Sequence, residues 1–143
     1  MVKLKPQYIE LDEFYEISNN LSNKHYELFG SRCNCRIRAY AICNKSRHDE
    51  SQAWWSVIHV RDPLCDIFEV DYVFKLFLTD WDAMLDKNRY LLVADALLSI
   101  DPVNEGINKF DIQDHSLMIK NFGLDYLENG DSPDILKDTF TWK

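Results

Sequence analysis

The sequence predicts an α+β protein with an N-terminal helix, a three-stranded antiparallel sheet and two C-terminal helices. Two observations carry that prediction. Three strand-like stretches follow one another with only loops between them, and helix-periodic stretches flank them on both sides. Strands that alternated with helices would instead point to a parallel βαβ winding.

The elements follow in order. Leu11 to Phe29 reads as one amphipathic helix, because Phe14, Ile17, Leu21 and Tyr26 recur near helical spacing and Gly30 stands where a C-terminal cap would. Arg36–Cys43 alternates, with Ile37, Ala39, Ala41 and Cys43 on one face and Arg36, Arg38 and Tyr40 on the other. Ala53–Val60 is the second strand, placing Trp54, Ser56 and Ile58 opposite Trp55, Val57 and His59, and Asp62-Pro63 stops it. Phe68–Leu78 is the third and most apolar strand. Thr79-Asp80-Trp81-Asp82 reads as a capping box opening a short turn, a role that also accounts for the pair Asp80/Asp82 without acid–base chemistry. Asp86 or Asn88 can cap a helix running to about Ile100, ended by Asp101-Pro102, and Asp111 can cap a last helix through Phe122 with Gly123 at its end. The tail, residues 129–143, is polar and is expected to pack loosely until Phe140 and Trp142.

Composition narrows the function classes. The 143 residues fit one domain, and 46% hydrophobic with 13% aromatic residues can build a core with aromatic surface to spare. The start lacks the basic-then-apolar pattern of a signal peptide, and no run is long enough to span a membrane, so a cytoplasmic protein is expected. Four cysteines without signs of secretion read as reduced thiols. Cys33, Cys35, Cys43 and His48 form an alternative zinc set, although the Cys-x-Cys spacing is not that of ribbons or fingers. A formal charge of −8 disfavours generic nucleic-acid binding, and the basic cluster Arg32, Arg36, Arg38, Lys45 and Arg47 reads as the exposed side of a strand and its turn. Acidity suits a basic protein partner or a DNA mimic. Singly scattered glycines rule out a glycine-rich phosphate loop, and no G-x-S-x-G elbow is present.

The helix Asn88–Ile100 is the most informative element. Leu91, Ala94, Leu97 and Leu98 supply its apolar side, while Asp95 and Ser99 stand at i and i+4 and so share a face. In zinc peptidases that spacing carries two histidines aimed at one ion, with a glutamate beside the first as general base. The ungapped run "YVFKLFLTDWDAMLDKNRYLLVADALLSIDP" and the later "FDIQDHSLMIKNFG" resemble a family of phage metallopeptidases, relatives of the SprT-like minimal zincins, over the C-terminal half of the chain. The resemblance implies a zincin-like fold with Trp81 on the family's tryptophan. It also places Asp95 at the first histidine, Ala96 at the glutamate, Ser99 at the second histidine and Phe110 at the third ligand, with only Asp111 retained. Those replacements remove the ligands and the base, so the resemblance implies a non-catalytic pseudoenzyme without metal or other cofactor that works in a phage setting by binding a host or phage protein, as an inhibitor or anti-defence factor.

Trp54 and Trp55 are the candidate partner-binding residues, because neighbours on a strand face opposite ways and both cannot easily enter one core. Asp95 and Ser99 are expected to bond each other or nearby backbone, with Phe110 filling the vacated volume. Two alternatives stand beside this reading. One is an altered metal-dependent hydrolase using Asp95, His115 and His59 or a cysteine; the other is an acidic DNA mimic that inhibits a nucleic-acid-binding protein.

Overall fold

Two parallel strands at the centre of a mixed sheet organise this computed structural model, which describes residues 5–33, 35–46, 53–101, 106–107, 116–122, 126–127, 133–136 and 140–142. Strands β1 (Tyr8–Glu10), β2 (Ile37–Ile42), β3 (Trp55–His59) and β4 (Tyr72–Phe77) form one sheet in the order β1-β2-β4-β3. β2 and β4 run parallel, from Ile37 opposite Tyr72 to Ile42 opposite Phe77. The outer pairs, β1 with β2 and β3 with β4, are antiparallel.

The α+β class therefore holds, while the described sheet differs from three antiparallel strands in sequence order. Strands adjacent in sequence are often, but not always, adjacent in space. β4 buries Tyr72, Phe74, Leu76 and Phe77, more than any other strand, and it takes an inner position between β2 and β3. β3 is displaced to an edge. The third strand also starts later than Phe68, because residues 64–67 form a helical turn, α3 (Leu64–Ile67).

Helices cover one face of the sheet. α1 (Asp12–Lys24) buries Phe14, Ile17, Ser18 and Leu21, the i, i+3, i+4, i+7 stripe that faces a core. The single helix expected to reach Phe29 is broken at His25, whose ring donates from Nε2 to the Ile135 carbonyl at 2.6 Å, a tertiary bond invisible to local periodicity. α2 (Tyr26–Cys33) then runs through Gly30, which lies under the Tyr26 ring rather than capping a helix.

Two expected caps are replaced. α4 (Leu78–Ala83) starts from Phe77 without a side-chain cap, so Asp80 and Asp82 lie inside the turn. α5 (Asp86–Leu97) starts from Leu85, again without a side-chain cap; Asp86 instead sits in the first turn, where its charge suits the helix dipole. Asn88 is buried and its amide donates to the Leu127 carbonyl at 3.1 Å.

α5 packs against α1, α2 and β3 and is the core of the molecule. After it, β5 (Ile100–Asp101) pairs antiparallel with β6 (Gly106–Ile107), and α6 (Ser116–Phe122) follows. In the described part of the tail, packing begins before Phe140 and Trp142, the residues at which it is expected. Ile135 is fully buried, and Phe140 and Trp142 stack with each other and with His25 and Phe122 at centroid distances of 5.2–6.0 Å. Phe110, Asp111, His115 and Gly123 lie outside the described residues.

Candidate functional site

Every residue from Leu91 to Ile100 is buried. Asp95 is 1% exposed, Ala96 0% and Ser99 1%. The helix face that would carry a zinc-binding pair is therefore closed to solvent. A catalytic metal needs an open coordination position for water, and these side chains offer none. Across the core, the Trp55 indole N–H donates to Asp95 Oδ2 at 2.9 Å. A buried carboxylate is tolerable only with such a donor. A strand tryptophan thus stands among the partners of Asp95, one that helical spacing alone does not point to.

That bond also changes the reading of the tryptophan pair. Trp55 is core: it is 9% exposed and meets the Phe74 ring edge-on at 6.4 Å. Trp54 is half-buried and packs against the same core. Neither residue is a freely exposed anchor. The alternation of faces is real, but the end of the strand lies between layers, so both rings find cover.

Trp81 and the acidic turn have a structural role. Its indole donates to Glu13 Oε2 at 3.2 Å, while Arg89 donates to the Trp81 carbonyl at 2.9 Å and to Glu13 Oε1 at 3.0 Å. The Arg89 guanidinium also lies 5.4 Å from the Trp81 ring centre. This cluster ties α1 to α4 and α5 beside the sealed helix.

The open chemistry lies elsewhere, where β3 ends and β2 and β4 begin. A cleft of about 450 Å³ is lined there by Arg36, His59, Arg61, Asp62, Cys65, Asp71 and their neighbours. Arg36 grips Asp71 with two side-chain bonds, 3.0 Å to Oδ1 and 3.2 Å to Oδ2, and reaches Asp66 at 3.4 Å. The guanidinium holds the Asp71 carboxyl below its ordinary range. Cys65 donates to Asp62 Oδ1 at 2.9 Å. That bond, followed by burial and the nearby carboxylates, pushes the thiol pKa up, away from a reactive thiolate.

Asp62, Cys65 and Asp66 bring one ligand-type atom each within 4.8 Å of one another, the only such grouping among the described residues. Arg36 stands beside Asp66, and Cys65 is engaged as a donor to Asp62. His59 lines the same cleft and stacks on Tyr72 at 5.1 Å. It stands four residues along β3 from Trp55, about 13 Å away at strand rise, and so is not gathered with Asp95.

The proposed cysteine set is not gathered either. Cys35 and Cys43 flank the six extended residues of β2 and stand on the order of 20 Å apart, too far to share an ion. The Cys33 side chain and His48 lie outside the described residues; Cys35, Cys43 and Cys65 are in no disulfide among the described residues. Within the basic cluster, Arg38 pairs with Glu10 at 2.9 Å, Arg36 is occupied as above, and Arg32 donates to the Ile100 carbonyl at 3.1 Å.

The cleft and the α3 turn escape local pattern because Asp62-Pro63 reads as a strand stop. The signal was present: Pro63 precedes Leu64, Ile67 and Phe68, an i, i+3, i+4 spacing with a proline just ahead of the helix. No protein-family model, curated protein or solved structure matches this chain. Fold and site together define a mixed α+β protein with a closed helix–sheet centre and a polar cleft at one end of its sheet. No described helix is long and apolar enough to cross a membrane.

Proposed function

We propose that this chain is a non-catalytic protein-binding module on a zincin-like frame, a metallopeptidase relative in which packing has replaced chemistry. One observation carries the reading: Asp95, at the position of a first zinc ligand in the resembled family, is sealed at 1% exposure and holds the Trp55 indole. Ala96 supplies no base, and Ser99 is equally sealed. A helix buried on every side from Leu91 onward serves as a scaffold, and function then falls to the surface. The acidic charge favours a basic protein partner, and the phage setting of the resembled family makes a host factor a natural target.

The direct test incubates the purified chain with zinc and an unfolded protein substrate. No zinc-dependent cleavage is expected. Cleavage that a chelator stops and Asp95→Ala abolishes would overturn the proposal.

A further inference from the structure

The connection from β3 to β4 holds large apolar side chains in water. α3 has no buried residue, and Leu64, Ile67 and Phe68 are 51%, 65% and 65% exposed. Their i, i+3, i+4 spacing puts all three on one face of a single helical turn. Scattered exposed apolar residues are ordinary, but a contiguous trio rimmed by charge is the mark of an interaction surface.

The turn is built rather than frayed. Phe68 N–H reaches the Leu64 carbonyl at 3.0 Å, and Val70 N–H reaches the Cys65 carbonyl at 3.0 Å, the closing bond of a Schellman end. Val70, buried, anchors the exit. The residue in the left-handed position is Glu69, with φ 55°, where glycine is the low-strain choice. Backbone strain is thus accepted while a carboxylate stands next to Phe68 in the chain.

Charge selects the occupant. Among the described residues, Asp62, Asp66, Glu69 and Asp71 surround this segment with Arg36 and Arg61 as the nearby arginines, and Arg36 is already engaged by Asp66 and Asp71. The rim is net acidic on a chain of formal charge −8. A second copy related by a two-fold axis would set this rim against itself, and an anionic bilayer would repel it. A partner with apolar anchors and flanking cations meets both features at once.

We infer that the α3 turn, Leu64, Ile67 and Phe68 within the rim of Asp62, Asp66 and Glu69, is the docking surface for a cationic amphipathic segment of a protein partner. The inference rests on the binding-protein reading and gives it a surface. The test presents the full chain to a displayed library of random linear peptides. Enriched peptides are then titrated by fluorescence anisotropy against the wild type and two variants, Leu64→Ser/Ile67→Ser/Phe68→Ser and Asp62→Asn/Asp66→Asn/Glu69→Gln.

Enriched sequences are expected to join large apolar residues to Lys or Arg. The first variant is expected to weaken binding about tenfold or more, with little change in melting temperature because the side chains it alters are exposed. The second, which probes the same surface independently, is expected to weaken binding and flatten its salt dependence. An absence of enrichment, acidic or charge-indifferent peptides, or unchanged affinity in both variants would overturn the inference. So would a dimer, or binding to phosphatidylserine vesicles, that the first variant abolishes. Zinc-dependent cleavage by the same preparation is the separate sign that the binding-protein reading itself has failed.

Discussion

At 2.9 Å the Trp55 indole donates to a carboxylate that scarcely meets water. Phenylalanine at position 55 would keep most of the ring and remove the donor, leaving Asp95 buried without it. Trp55→Phe is therefore expected to lower unfolding free energy by about 3 kcal/mol, whereas Asp95→Asn, which keeps an acceptor oxygen, costs about 1 kcal/mol. Urea unfolding of both variants and their double mutant reads the coupling. Costs that simply add in the double mutant would mean that the bond itself contributes little. Asp71 gives the corresponding pH prediction. Its carboxyl pKa is lowered by the Arg36 bonds, so the stability it contributes is fully present above the ordinary carboxyl value of about 4 and is lost as pH falls through the lowered one. Urea midpoints measured from neutral pH downward should fall less steeply at the acid end for Asp71→Asn than for the wild type.

Elements differ in how far the sequence exposes them. β2 and β3 were legible from alternation, and α5 from helical spacing between Asp86 and the Asp101-Pro102 stop. The break at His25 was not: its ring bonds a carbonyl 110 residues away, a contact that local periodicity does not carry. Side-chain caps were over-read at Asp80, Asp82 and Asn88: a polar residue near a helix start can serve the dipole or a tertiary bond as well as the cap. For the candidate site, the shared helix face of Asp95 and Ser99 is legible from their i, i+4 spacing, but the burial of residues 91–100 and the Trp55 donor depend on layers that local pattern does not contain. The α3 turn shows the cost of a missed short element: Phe68 reads as the start of a strand, and Leu64 and Ile67 then belong to no element. It also carries a prediction at its own scale. Glu69→Gly relieves a left-handed φ and is expected to raise stability by up to about 1 kcal/mol. A loss of stability measured by thermal unfolding would mean that the carboxylate, and not the turn geometry, holds this segment.

For the molecule as a whole, strand order was the main feature hidden from the sequence. The most apolar strand moved inward and made a parallel pair with β2, an outcome set by competition among strands for the centre. The result separates two regions: a closed centre, where α5 meets β3, and an open end of the sheet, where charges and the α3 turn meet solvent. The central claim is that the closed centre holds no catalytic metal, and metal content tests it most directly. Elemental analysis of chain purified without chelator, wild type beside Asp95→Ala, is expected to find no stoichiometric transition metal in either. One zinc or other transition-metal ion per wild-type chain, lost in Asp95→Ala, would contradict the account.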